Sequence, residues 1–171
     1  MSQSQAVLLL LKAQKKLNAS PGWFSFGSNN SQYEESGDIF QQAANQFKIE
    51  KRFKEAGDAF KSEAECREKM NELNEASNAW WNAAKAYKQG YPECICAFVG
   101  ILVPRLTTSP VAIDAFSHAI TNLTKAGRFR QAADREKEIA QIYLNELGDL
   151  RKSCESYERA AEWYKQEDAT A

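Results

Sequence analysis

The sequence predicts an all-α protein, built as an array of antiparallel helix hairpins that forms a twisted, tetratricopeptide-like superhelix. A six-residue phrase recurs at 20-residue intervals, beginning at Glu35, Glu55 and Glu75. Each copy ends in an aromatic residue, and an alanine follows one helical turn later. These pairs are Phe40 and Ala44, Phe60 and Ala64, and Trp80 and Ala84. Such self-similarity is typical of a helical repeat, and helices of about 15 residues joined by short turns pack as antiparallel neighbours.

Composition limits the function further. The chain has 171 residues, of which 43% are hydrophobic and 26% charged, and its net charge is −1. This balance gives no bulk attraction to nucleic acid, so no nucleic-acid partner is expected. The apolar start lacks the positive region of a secretory signal, and the four cysteines lack a disulfide spacing. We therefore expect a cytoplasmic chain with free thiols.

Residues 1–19 are predicted to form an N-terminal helix, since apolar positions between Gln5 and Leu17 follow a helical spacing. Pro21 and Gly22 end it, and a loop rich in Gly, Ser and Asn occupies 20–31.

Three aromatic residues, Trp23, Phe24 and Phe26, lie within this loop. Leaving them in water is costly, because burial of each would recover roughly 1.5–3 kcal/mol. They either fold back on the first helix or form an exposed tip that enters a bilayer interface, where Trp and Phe are favoured.

Residues 32–92 are predicted to hold the first helical repeats, with helices at about 34–48, 54–70 and 72–88. The rhythm then breaks, because Trp80 and Phe116 are 36 residues apart. Residues 93–110 carry an apolar run without helical period, and we interpret them as an atypical insertion. Our hypothesis is that this insertion is a translated unspliced intron or a gene-model error, which sequencing of the transcript would decide.

Repeats resume at 111–166, with a helix after Pro110 and further helices at about 130–144 and 151–164. Residues 167–171 form a tail. The last helix is expected to bury an inner stripe, as the earlier ones do. Its members are Cys154, Tyr157, Ala160, Ala161 and Tyr164.

An enzyme is not expected, and no cofactor or metal is predicted. His118 is the only histidine, and its helical setting favours a surface or boundary position. Cys94 and Cys96 form one close pair without a second pair nearby, which is a weak signal for a metal or a redox site. Cys66 and Cys154 fall on helices and are interpreted as small packing residues.

The order of these motifs resembles one family. An amphipathic helix and an aromatic loop precede 20-residue helices that carry Ala-Gly-Asp-Ala-Phe at 56–60, Ala-Gly-Arg-Phe at 126–129 and Tyr-Glu-Arg-Ala-Ala-Glu-Trp-Tyr at 157–164. This set is similar to the soluble NSF attachment proteins of the alpha type, over about residues 8–167 apart from the insertion. Ordinary tetratricopeptide repeats have a 34-residue period instead.

The resemblance implies an adaptor in SNARE complex disassembly and vesicle-mediated transport. Family members lie along an assembled SNARE four-helix bundle of the syntaxin type and recruit the AAA ATPase NSF. An N-terminal loop touches the membrane, which assigns Trp23, Phe24 and Phe26 to a membrane loop and the chain to the cytosolic face as a peripheral protein.

The resemblance also implies a basic face for the acidic SNARE bundle. The positions that match are Lys51, Arg52, Lys88, Arg128 and Arg130. Their recurrence at turns predicts that they lie along one edge of the array; the alternative is that they are solvated turn charges.

Two further expectations concern the extent and the function of the chain. The sequence corresponds to the N-terminal portion of the family only and ends before the C-terminal bundle that engages the ATPase, so recruitment is in doubt. The alternative function is a generic tetratricopeptide-like scaffold that binds a peptide tail, and a thiol- or metal-using regulator built on Cys94 and Cys96 is a third.

Overall fold

A computed structural model of the chain describes residues 4–19, 29–90 and 110–170. Within these ranges the protein has no strands, and the predicted all-α class is confirmed. Seven α-helices and one π-helical turn follow each other in these ranges. They are α1 Gln5–Leu17, α2 Asn29–Ile49, α3 Phe53–Lys69, α4 Leu73–Gly90, α5 Pro110–Lys125, α6 Phe129–Ile142, the π turn Tyr143–Leu147 and α7 Leu150–Thr170.

Each helix packs against the next one in the chain, which makes a consecutive antiparallel array. The helices fall close to the predicted positions, with three differences. α2 begins at Asn29, within the predicted loop. α6 stops at Ile142 and widens into the π turn, which Gly148 ends in a left-handed conformation (φ 65°). α7 continues to Thr170, through most of the predicted tail.

The repeated phrase sets the core. Phe40, Phe60 and Trp80 are buried, with at most 4% of each residue exposed. The alanines one turn later, Ala44 and Ala64 among them, are fully buried, because a small residue lets the neighbouring helix approach closely. The aromatic residues and the alanines therefore form the packing unit that the sequence predicted.

Three turns between helices repeat one backbone motif. In each turn, the residue immediately before the next helix donates its backbone N–H to the carbonyl of the residue five positions earlier. These bonds join Arg52 to Phe47 at 2.9 Å, Glu72 to Arg67 at 3.0 Å and Arg128 to Leu123 at 2.9 Å. The preceding residue is left-handed in each turn: Lys51 (φ 58°), Asn71 (φ 61°) and Gly127 (φ 70°). This is the Schellman arrangement, which satisfies the last carbonyl groups of a helix.

The predicted inner stripe of α7 is wrong for three of its five members, whereas Tyr164 is half-buried. Ala160 is buried as expected, but Cys154 and Ala161 are exposed and Tyr157 is 38% exposed. The face that packs on α6 carries Ser153 and Ser156 instead, and the Ser153 hydroxyl donates to the backbone oxygen of Ala140 at 2.9 Å. Among the described helices, α7 packs mainly on α6.

Candidate protein-binding surface

The antiparallel array has two ends, and the turns alternate between them. One end, called here the Lys51 end, holds the α2–α3 turn. There the Ser4 hydroxyl, just before α1, donates to the Glu50 carboxylate at 2.6 Å. The end of α4 reaches the same place, since a Cβ on Gly90 would stand 2.7 Å from the backbone nitrogen of Lys54.

The opposite end, called the Arg128 end, holds the α3–α4 and α5–α6 turns. The Gln32 amide there donates to the backbone oxygen of Leu17 at 2.8 Å, which joins the end of α1 to the start of α2. Asn122, near the end of α5, donates to the Glu68 carboxylate of α3 at 2.7 Å. A helix of 16 residues such as α5 separates the two ends by about 24 Å.

The five predicted SNARE-binding residues divide between these ends, so the expectation of a single edge is wrong. Lys51, Arg52 and Lys88 belong to the Lys51 end, whereas Arg128 and Arg130 belong to the Arg128 end. Lys88 and Arg128 are 40 residues apart only because the insertion between them is counted. Without its roughly 16 extra residues, one helix rather than two separates Lys88 from Arg128.

The five cations also differ in availability. Lys51, Arg128 and Arg130 are exposed. Arg52 forms an ion pair with Glu55 at 2.9 Å, and its guanidinium lies 4.7 Å from the ring centroid of Phe47. Lys88 is ion-paired with Glu146 in the π turn. Lys51, Arg128 and Arg130 are thus the better placed to receive an acidic partner.

A further basic feature, which the sequence reading missed, lies on the face shared by α4 and α6. The Arg135 guanidinium lies 4.3 Å from the ring centroid of Trp81, and the Lys85 ammonium lies 5.7 Å from it. Such cation–π contacts fix both side chains on an aromatic surface. The Trp80–Trp81 doublet and the Lys85 four residues later were a sequence signal for the α4 part of this feature, but not for Arg135.

This same face carries a shallow cleft of about 260 Å³, to which Lys85, Lys88, Phe116, Glu138 and Glu146 contribute. Its rim therefore mixes cations and carboxylates. Together with Arg135, the cleft makes the α4–α6 face a surface of alternating charge rather than a uniformly basic patch.

His118 lies where the sequence placed it, on the surface. Its imidazole stacks on Trp80 with ring centroids 4.5 Å apart, and the Trp80 indole donates to Glu68 at 2.7 Å. These contacts show that His118 and Trp80 serve to pack α5 against α4.

Two titratable groups are buried between α2 and α3. Burial raises the pKa of Glu63 to about 7, although the nearby Arg67 opposes the shift and Gln41 donates to one carboxylate oxygen at 2.9 Å. The other oxygen has no hydrogen-bond partner among the described residues. Burial likewise raises the pKa of the Cys66 thiol to about 11, which keeps it protonated and inert. Cys66 is the packing residue predicted, whereas Cys154 is exposed, contrary to the prediction.

Several predictions fall outside the described residues. Trp23, Phe24 and Phe26, nearly all of the 93–110 insertion, and its Cys94 and Cys96 belong there. Within the described ranges, no three His, Cys, Asp or Glu side chains come together to hold a metal ion. Over those same ranges, none of the helices combines the length and apolarity that crossing a bilayer requires.

The fold and the surface define a helical repeat protein with exposed cations at its turns and mixed charge on its α4–α6 face. Comparison with known proteins gives the family. The profile described as "Soluble NSF attachment protein, SNAP" matches residues 4–171. The chain belongs to this family, and the predicted resemblance is confirmed.

Individual relatives agree. The chain is 58% identical over 169 residues to the vesicular-fusion protein SEC17 of Coprinopsis cinerea, covering 99% of this chain and 52% of the relative. It is 34% identical to a probable vesicular-fusion protein sec17 homolog of Neurospora crassa, covering 96% and 51%. It is 32% identical to the alpha-soluble NSF attachment protein of Mus musculus, covering 99% and 52%. The chain spans about half the length of the curated relatives it matches.

Proposed function

We propose that the chain is a non-enzymatic adaptor in SNARE complex disassembly and vesicle-mediated transport. The observation that carries the proposal is the family match over residues 4–171. The names of its relatives, vesicular-fusion protein and NSF attachment protein, point to the same process. The proposed partners are an assembled SNARE bundle of the syntaxin type, an NSF-type AAA ATPase and a membrane surface.

An extended array of helices suits a rod-shaped, acidic partner. It offers exposed cations at both ends, Lys51 on one and Arg128 and Arg130 on the other. A rod that crosses the array parallel to its helices meets both ends, whereas a rod that follows one edge meets only one. Exposed charges act over about 8–10 Å at moderate ionic strength, so binding should weaken as salt rises.

Charge reversals distinguish these orientations. Binding of an assembled SNARE bundle is measured for Lys51→Glu, for Arg128→Glu and for both together, with Lys12→Glu on exposed α1 as the control of equal charge change. If each reversal weakens bundle binding and the two effects add, the result supports a rod that crosses the array. If only one reversal weakens binding, the result supports a rod that follows one edge. Unchanged binding in all variants would contradict the proposed surface.

Lys88 needs a different design because it is ion-paired with Glu146. The Lys88→Glu reversal also places a like charge beside Glu146. The swap Lys88→Glu with Glu146→Lys restores the pair within the protein. If the swap restores bundle binding, Lys88 acts through its ion pair rather than by contacting the bundle.

The membrane loop is the second part of the proposal. Trp23, Phe24 and Phe26 are proposed to enter a bilayer interface from the cytosolic side, which makes the protein peripheral. Flotation with liposomes is compared for the chain, for Trp23→Ser with Phe24→Ser, and for Leu11→Ser, which removes an apolar side chain that is 50% exposed on α1. Equal flotation of all three would contradict the loop assignment.

Recruitment of the ATPase is the third part. It is tested by adding the ATPase to the bundle-bound chain and measuring co-sedimentation, then bundle disassembly with ATP. Bundle binding without either result limits the function to bundle binding. Binding to a short peptide tail but not to an assembled bundle would favour the generic scaffold instead.

A further inference from the structure

The outer face of α1 carries leucine and lysine side chains together. The helix packs on α2 by its opposite side, where Ala6 and Ala13 are fully buried. Four exposed residues lie three or four positions apart on the side away from α2, which places them in one patch. We call this patch the outer face of α1, and its members are Leu8, Leu11, Lys12 and Lys15. Leu8 is 51% exposed and Leu11 is 50% exposed, so about half of each leucine is available to a partner.

The charge of α1 is of one sign. The helix contains three lysines and no Asp or Glu, whereas every other described α-helix contains at least one acidic residue. Lys16 is ion-paired with Glu35 of α2, which holds the helix on the array. Lys12 and Lys15 form no ion pair within the described ranges. Two ammonium groups therefore lie beside two leucines without a paired carboxylate from the part of the chain that the structure describes.

The acidic residues around the neighbouring α2 do not neutralise this face. Asp38 is ion-paired with Arg67 of α3, and Glu50, just after α2, accepts from the Ser4 hydroxyl. Glu34 is exposed and is one charge against two lysines. The outer face of α1 is thus basic when the charges of the adjoining helix are counted.

Lysine stems and leucine tips on one face fit the interface of an anionic bilayer. There a leucine enters the boundary between head groups and acyl chains, while a lysine keeps its ammonium group in water beside the lipid head groups. A protein helix packed on the same face would instead desolvate both ammonium groups, which is costly unless each meets a carboxylate. The sequence points the same way, because the aromatic residues Trp23, Phe24 and Phe26 follow α1 closely in the chain.

We propose that the outer face of α1 binds the surface of an anionic bilayer, with the helix axis in the plane of the membrane. Lys12 and Lys15 hold the helix by attraction to the lipid head groups, and Leu8 and Leu11 enter shallowly between them. This inference extends the proposed membrane loop and rests on it for the side from which the membrane is met. It adds an anionic lipid as the partner, which an aromatic loop by itself does not require.

Binding to two kinds of vesicle tests the lysines. Co-sedimentation of the 171-residue chain is compared for phosphatidylcholine vesicles and for vesicles that contain about one-third phosphatidylserine. Each lysine near such a surface strengthens binding about fivefold, so Lys12→Gln with Lys15→Gln should weaken binding to the anionic vesicles about 25-fold. Binding to the neutral vesicles should stay unchanged, and added salt should reduce the difference between the two kinds of vesicle.

The matched control neutralises two lysines elsewhere. Lys125→Gln with Lys137→Gln makes the same change of net charge at exposed positions on α5 and α6. It should lower binding to the anionic vesicles by less than about twofold, since those lysines do not belong to the proposed contact. Equal losses in the two double variants would overturn the proposal, because net charge rather than α1 would then attract the lipid.

Lipid composition separates α1 from the loop. The variant Trp23→Ser with Phe24→Ser is read on neutral vesicles, where half-covered leucines do not hold α1 alone and Leu11→Ser remains its control. In that loop variant the preference for anionic over neutral vesicles should persist, and Lys12→Gln with Lys15→Gln should remove it. Loss of the preference through the loop variant alone would overturn the contact by α1, whatever the loop does on neutral vesicles.

An acidic protein is the other partner that lysines attract. Binding of a soluble, assembled SNARE bundle without any membrane should be the same for the unaltered chain and for Lys12→Gln with Lys15→Gln. Weaker bundle binding by this variant would overturn the lipid assignment and give the outer face of α1 to a protein partner.

Discussion

The ring of Tyr87 in α4 lies directly over the backbone of Gly57 in α3. A Cβ added at Gly57 would stand 2.5 Å from the nearest ring carbon, and the Tyr87 hydroxyl donates to Asp58 at 2.7 Å. Gly57 occupies the third position of the repeated phrase, where the first copy has Gly37. A Cβ at Gly37 would meet the Cys66 Cβ at 3.5 Å, an ordinary contact. Equivalent glycines in two repeats thus have different roles.

Gly57→Ala is expected to destabilise the protein by about 1–2 kcal/mol, since overpacking costs more than the helix propensity that alanine gains. Gly37→Ala should instead stabilise it by about 0.5–1 kcal/mol, because alanine favours a helix and the site has room. Denaturant unfolding of both variants measures the difference. In a Tyr87→Ala background the penalty at Gly57 should vanish; a penalty that remains would show that the ring is not its cause.

The repeated phrase explains why most of the fold could be predicted. Its period fixed the helices to within a few residues, and its aromatic residue identified the core at Phe40, Phe60 and Trp80. The period could also have placed Arg128 at the end of the array opposite Lys88, because about one period separates the two residues once the insertion is removed. That placement required counting helices rather than residues, since each helix reverses the direction of the chain.

Other features depend on neighbours that one sequence does not reveal. The helical spacing showed an apolar row along α7 that includes Tyr157, but the burial of this row depends on whether another helix packs beside it. The Trp81–Arg135 contact joins α4 to α6 across 54 positions, so no local pattern announces it. The same holds for Glu63, whose burial comes from α2 rather than from its own helix.

Glu63 should make stability depend on pH. The folded state holds its pKa at about 7, above the ordinary value of 4.5, so folding favours the protonated form. Its contribution is therefore fully present below about pH 4.5 and is lost as pH rises through 7, by about 3 kcal/mol in total. Glu63→Gln should remove this slope and raise stability at pH 8.

Thermal or denaturant unfolding at several pH values between 4.5 and 8 measures the effect of Glu63. Glu65→Gln is the matched control, because Glu65 lies two residues away on the exposed side of α3. If the wild-type protein and Glu63→Gln lose stability equally between pH 5 and 8, the buried carboxyl is not responsible.

Lys51 offers a stabilising substitution. It adopts a left-handed conformation (φ 58°) at a helix end, the position where glycine is most favoured. Lys51→Gly should raise the free energy of unfolding by up to about 1 kcal/mol, because the strain of the Cβ outweighs the added freedom of the unfolded chain. Lys61→Gly, at an exposed position inside α3, should lower it by about 1 kcal/mol. Equal losses of stability in both variants would contradict the inference that the left-handed backbone strains Lys51.

The α6–α7 contact depends on a buried carboxylate. The Glu136 side chain is only 5% exposed and accepts from the Arg159 Nε at 2.9 Å. Arg159→Ala leaves that carboxylate buried without its cation, so we expect a loss of about 1–3 kcal/mol, less than for a fully buried pair because the Arg159 side chain is 49% exposed. Adding Glu136→Gln should recover part of this loss, since the amide carries no charge.

Arg151→Ala on the same helix is the control, because that side chain is 90% exposed and its loss should change little. Unfolding by denaturant measures all four proteins, and equal stability of Arg159→Ala and Arg151→Ala would show that the Glu136 pair does not hold α7 on the array.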